Sequence, residues 1–173
     1  MNKELLNKAI KVLSINDVYL NGTRAVVKEG VEPKFDTELF DSLEARLKHI
    51  IAKSNVVTIS ADGDQEVNIF RVVIRFGAFW IPQKTTEENF SEESIQAIIE
   101  AEMICEYIMN QNPGQDALNE FALHNASFHA WPFWREYLSS QCLRMHLPQL
   151  MLPTMMAASN SETGAKKHKT KKG

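Results

Sequence analysis

Cysteine is scarce: Cys105 and Cys142 are the two among 173 residues, both in apolar surroundings and without CxxC spacing. A disulfide framework and a zinc ribbon are excluded, and both thiols are expected to be reduced, packed and inert. Long hydrophobic runs are missing too. Arg71 and Arg75 interrupt the strongest stretch, Phe70 to Ile81, which stays short of the ~18–20 apolar residues of a bilayer span. The opening Met1-Asn2-Lys3-Glu4-Leu5-Leu6 brings an acid early and offers no signal-peptide apolar region or cleavage site, so a cytoplasmic address is expected. There is no Gly-rich phosphate loop, which removes ATP-driven mechanisms. His49, His124, His129, His146 and His168 fall in no metal-ligand spacing, so neither a metal nor another cofactor is expected. His124 and His129 read as polar packing or caps. Ser139, Ser140 and Cys142 have no base signature beside them, which argues against a nucleophile and against an enzyme.

What is present suits one folded domain: 44% of residues are apolar and 24% charged, enough to bury a sizeable core. The net charge of −3 conceals an asymmetry. Lys166, Lys167, Lys169, Lys171 and Lys172 lie in the last eight residues; without those five of the 19 bases, 14 remain against 22 acids, a balance of −8. An acidic body speaks against a nucleic-acid-binding face. The basic tail could be a solubilising tail or a hook for acidic partners or nucleic acid. The expected division is a domain over 1–157 and a disordered basic tail over 158–173.

Residues 2 to 13 place Leu5, Leu6, Ala9, Ile10 and Leu13 on one face of a short helix. A strand follows from Leu13 to Val27, with a bulge or turn at Asn21-Gly22. Leu39, Phe40, Leu43, Leu47, Ile50 and Ile51 recur at helical spacing behind Asp36, which predicts a helix or helical crossover from Thr37 to Lys53 with Asp36 as its N-cap. Val56 to Ser60 and Val67 to Trp80 read as strands of a hairpin joined through an Asp-Gly turn. The stretch 95–109 admits two readings. Ser91-Glu92-Glu93 looks like a helix start, whereas Met103, Cys105, Tyr107 and Met109 alternate with Glu102, Ile104, Glu106 and Ile108 as in a strand. Asp116 predicts the cap of a short helix over 117–126, and Pro132 the first turn of a long helix that runs to Met145 and stops before Pro148.

The segment Trp131-Pro132-Phe133-Trp134-Arg135-Glu136-Tyr137-Leu138-Ser139-Ser140, with Arg144 and Leu147-Pro148-Gln149-Leu150 after it, resembles the main helix and exit of the SecB export-chaperone family. In that family an aromatic-Pro-aromatic-x-Arg-Glu opening, a Ser/Thr-Ser pair, an Arg and Pro-Gln-Leu recur in this order. Ile104, Cys105 and Glu106 are similar to the family's last strand, which favours the strand reading of 101–109, and residues 14–20 resemble its first. The resemblance implies an α+β fold: a four-stranded antiparallel sheet with a long C-terminal helix packed on it, assembled as a dimer of dimers. It also implies an ATP-independent holdase for unfolded or precursor polypeptides, in export through a SecA-like motor or for a dedicated client such as an antitoxin. The family's motor face matches Asp17, Ile104 and Glu106 here. Three departures count against motor docking: the family's second helix gives way to 151–158 and a basic tail, 37–53 lacks a counterpart, and Asn21 stands where a second acid is usual.

A holding chaperone needs adaptable apolar surface rather than a cleft. The candidate client-binding residues are Trp131, Phe133, Trp134 and Met145 on the last helix, Leu147, Leu150, Met151, Met155 and Met156 beyond it, and Phe35 and Phe40 on the crossover. The competing reading is that these side chains fill the subunit's own core or an oligomer interface. A rival from another class is a small-ligand-binding α+β protein using the aromatic cluster as a pocket.

Overall fold

Side-chain alternation and single-residue bulges decide how the long strands share one core. The computed structural model describes residues 1–61 and 65–155. Strands β1 (Leu13–Val27), β2 (Leu43–Ala61), β3 (Gln65–Pro82) and β4 (Ala97–Met109) form one sheet in the order β1-β4-β3-β2, every neighbouring pair antiparallel. On β4, Ala101, Met103, Cys105 and Tyr107 join the core on one face, while Glu100, Glu102 and Glu106 alternate with them on the other. On β3, Phe70, Val72, Ile74 and Phe76 face inward, and Arg71, Val73 and Arg75 lie opposite.

β1 would lose this parity without two bulges. The register skips Asn16, between Ile15 and Asp17, and Asn21, between Leu20 and Gly22. Each extra residue shifts the alternation by one. Leu13 and Ile15, then Val18 and Leu20, then Ala25 and Val27 therefore all stand opposite inward-facing positions of β4. A third skip, at Ala52, does the same for β2.

Helices α1 (Lys3–Ile10), α3 (Gln115–His124) and α4 (Ala126–Arg144) cover the inner face. Asn2 caps α1, its Oδ1 accepting from the Leu5 amide at 3.2 Å. Phe121 of α3 packs edge-on to Tyr107 at 4.8 Å between ring centroids, and Trp134 of α4 stacks on Phe76 at 5.4 Å. Fully burying rings of this size stabilises the fold by about 1.5–3 kcal/mol each. α4 ends in a left-handed residue, His146 at φ 55°, and the Leu147 amide reaches back to the Cys142 carbonyl at 2.9 Å. This six-to-one closure satisfies a terminal carbonyl and turns the chain before Pro148.

Three sequence expectations are corrected. The helix over 37–53 shrinks to α2 (Thr37–Asp41), after which Leu43 to Ala61 is one long strand. Its inward Leu43, Leu47 and Ile51 are spaced four apart, which satisfies a helical and a strand period alike, and pairing with β3 along its whole length settles the contest. Asp116 does not cap α3. The cap position is Gly114, at φ 89°, where a side chain would be strained, and Asp116 sits in the first turn. α4 begins at Ala126, so Pro132 lies inside it rather than at its start. The hairpin, the bulge at Asn21 and the strand over 101–109 agree with expectation. The basic tail 158–173 lies outside the described residues.

Candidate functional site

α4 divides its side chains between two surroundings. Ala126, Ala130, Trp134, Leu138 and Cys142, each four residues apart, face the sheet and are buried. Phe133 and Leu143 stay out, 51% and 73% exposed. Beyond the turn at His146, the chain runs back along the helix. Leu147 and Leu152 are buried, Leu150 is half-buried, the Trp131 indole Nε1 donates to the Pro153 carbonyl at 2.7 Å, and Ser139 Oγ donates to Gln149 Oε1 at 3.2 Å. Met151 between them is 93% exposed.

Clefts border this helix beside Met151 and beside Phe133. One of about 330 Å³ lies between Pro132, Glu136 and Ser139 of α4 and Leu150 to Leu152. The other, about 220 Å³, lies between Phe133 and Tyr137 of α4 and Val18 to Leu20 of β1, an edge strand. An edge offers unpaired backbone groups to an extended chain.

The candidate client residues therefore separate. Phe133, Met151 and Phe35, the last 71% exposed, are accessible; Trp131, Met145, Leu150 and Met155 are half-buried. Phe40, Trp134 and Leu147 are sealed in the core and offer no surface, because α2 folds Phe40 inward, Phe76 stacks on Trp134 and the turn after α4 drives Leu147 under the helix. Met156 lies outside the described residues.

The outer sheet face carries a ladder of opposite charges. Glu106 accepts from the Tyr19 hydroxyl at 2.9 Å and lies 2.9 Å from Arg71 Nε, while Arg71 also donates to Tyr19. Glu102 accepts from Arg75 at 2.6 Å and from Asn21 at 2.6 Å, and these bonds, Arg75's first, hold its carboxyl below the usual range. Glu100 lies 3.9 Å from both Arg24 and Lys48. Of the expected motor face, Asp17 is exposed, Ile104 is buried among its strand neighbours, and Glu106 is engaged by Tyr19 and Arg71. Sequence reasoning found the acids and missed their cations. Arg71 and Arg75, four apart on a strand, were the signal for a charged face, but which acids they meet depends on register.

Among the described residues the buried thiols and histidines are held in unreactive forms. Burial pushes the Cys105 thiol up to about 12 and raises Cys142 as well, which leaves both protonated and poorly nucleophilic. Burial, with Cys105 beside it, raises the Tyr107 phenol, whose hydroxyl lies 3.0 Å from His129 Nδ1. His49 packs flat on Phe76 at 5.1 Å with Nε2 2.7 Å from Ser127 Oγ. Desolvation lowers both histidines and favours their neutral forms. His124 pairs with Glu120 at 3.4 Å on α3. Among the described residues no group of three His, Cys, Asp or Glu side chains could hold a metal ion, and no helix is long and apolar enough to cross a membrane.

No protein-family profile matches the chain, and no curated protein matches it in sequence. Among solved structures it is similar to a SecB-like chaperone of Mycobacterium tuberculosis, in complex with a ChAD peptide from an antitoxin. The TM-score is 0.63 at 20% identity, over 88% of this chain and 97% of that one. The four-stranded antiparallel sheet with its long C-terminal helix is thus the SecB-like fold.

Proposed function

We propose that this chain is an ATP-independent, non-enzymatic holding chaperone that binds unfolded polypeptide on the apolar surface of α4 and residues 145–155. In this reading it serves a restricted client, such as an antitoxin, in preference to general export or translocation. One observation carries it: Phe133, Leu143 and Met151, large and apolar, stand open to solvent on and beside the helix whose other face holds the core together. Large adaptable side chains left this open beside clefts suit varied partners. The peptide-bound chaperone of like fold supports a polypeptide client. Against the rival small-ligand reading, Phe76 and Trp134 fill the aromatic cluster by stacking on each other.

The restricted client is favoured by the outer face, where Glu100, Glu102 and Glu106 each meet a cation of a neighbouring strand. A neutralised ladder is a poor dock for a basic surface of a SecA-like motor. Assembly as a dimer of dimers and a cytoplasmic location belong to the same proposal. Leu47 and Val56 on β2 remain exposed at the edge of the inner face farthest from β1, where a second copy would cover them.

The test is light scattering from an unfolded test protein mixed with equimolar chain. The chain delays aggregation without nucleotide, and Phe133→Ser combined with Met151→Ser shortens the delay. An unaltered aggregation curve in the presence of the native chain sinks the proposal.

A further inference from the structure

A cavity of about 640 Å³ opens on the outer face of the sheet, away from α4, where residues 90–96 border the ends of all four strands. Its floor is apolar: Val26 of β1, Phe79 and Ile81 of β3, and Ile98 of β4. Gly77 lets the Phe79 ring lie close over the strand, because a Cβ there would come within 2.9 Å of the ring. Phe90, nearly half exposed, forms part of the wall.

Two of the four cations around this cavity are engaged in building it. Lys28 Nζ donates to the Glu93 carbonyl at 2.7 Å, and the Arg46 guanidinium, paired with Glu44 at 2.7 Å, donates to the Thr85 carbonyl. With the backbone bonds from Lys28 to Gln96 and from Gln96 to Trp80, both 2.9 Å, they tether the wall before any ligand arrives. The other two, Arg24 and Lys48, approach from opposite edges of the sheet and share the single carboxylate of Glu100 at 3.9 Å each. Glu92 and Glu93 are exposed on the wall. A second depression of about 300 Å³ continues the groove and is lined by the same Arg24, Lys48 and Glu100, with the Arg75–Glu102 pair beside them. Arg24 and Lys48 share one carboxylate, which leaves a single positive charge unmatched between them, over an apolar floor and apart from the pairs around it.

We propose that this groove is a second polypeptide site, one that takes an aromatic or aliphatic segment bearing a carboxylate. The apolar side chains rest on Val26, Phe79 and Phe90, and the carboxylate sits between Arg24 and Lys48. The groove is open to solvent and runs on into the second depression, which fits a length of extended chain better than an enclosed small molecule. The inference rests on the reading of the chain as a polypeptide-binding protein and gives that reading a second surface with a stated preference.

Titration calorimetry of the full chain with two short Phe- and Leu-containing peptides, identical except for a central Glu or Gln, tests it. The Glu peptide binds about fivefold tighter, the size expected of exposed charge pairs. Raised salt and the double variant Arg24→Gln, Lys48→Gln abolish the difference. Equal affinities, or a preference that survives in the double variant, overturn the inference; so does binding of dodecanoate without discrimination between the peptides. Holding of the unfolded test protein is read on the same preparations. A chain that holds the client yet treats both peptides alike sinks the groove alone, and one that binds neither client nor peptide sinks both proposals.

Discussion

The indole Nε1 of Trp131 donates to the backbone carbonyl of Pro153 at 2.7 Å, across 22 residues of sequence. This bond closes the loop that lays residues 147–153 along α4, and it sits at the exposed surface, where water can compete with it. Trp131→Phe keeps a ring and removes the donor. We expect a loss of about 1 kcal/mol, the net worth of one such bond, with faster amide exchange near Leu152. Urea unfolding with hydrogen-exchange mass spectrometry checks both, and unchanged exchange there refutes the tether.

Neighbours on α4 differ sharply in what they hold. Trp134→Ala, in a residue only 1% exposed, is expected to cost about 3–5 kcal/mol. Phe133→Ser changes stability by no more than about 0.5 kcal/mol while weakening client holding. Chemical denaturation ranks the pair, and equal losses contradict the assignment of faces.

Arg71 and Glu106 form the least exposed rung of the outer ladder. Both side chains are partly screened by solvent, so a double-mutant cycle with Arg71→Met and Glu106→Gln should give a coupling of about 1 kcal/mol. Molar salt reduces it, which distinguishes a charge pair from packing.

Acid weakens the fold through its histidines. Burial lowers His49 and His129 below their ordinary value of 6.5, so near and just below that pH the unfolded chain binds more protons than the folded one. The stability they contribute is present above about 6.5 and is lost as pH falls through the folded values. Urea midpoints should drop between about pH 7.5 and about pH 5, and His129→Gln should flatten the drop. An unchanged slope in that variant assigns the effect elsewhere.

Much of the sheet could be read from residues alone, and the failures have physical causes. β1 announced its bulge because Asn21-Gly22 interrupts an otherwise β-rich run, and the β2–β3 hairpin announced itself by β-branched residues on both sides of Asp-Gly. β4 was legible only as one of two alternatives, since Met, Ile and Glu serve helix and strand equally and the alternation is realised by pairing on both sides. The first half of β2 was not legible, because Leu43, Leu47 and Ile51 satisfy a helical stripe and only β3, whose register is non-local, decides. At the site, sequence found the aromatic segment but could not divide it. Phe133 and Trp134 are adjacent, and only the phase of α4 against Phe76 buries one and exposes the other.

The skipped residues of β1 carry a consequence for how this strand tolerates change in length. Because Asn16 and Asn21 are surplus to the pairing with β4, excising either one leaves every remaining side chain on its present side. Removing any single residue between them turns part of the strand inside out. Excision of Asn21 forfeits its bond to Glu102 and some local coiling, a modest penalty, so these two asparagines are the points at which relatives with a shorter first strand could arise without rebuilding the interior.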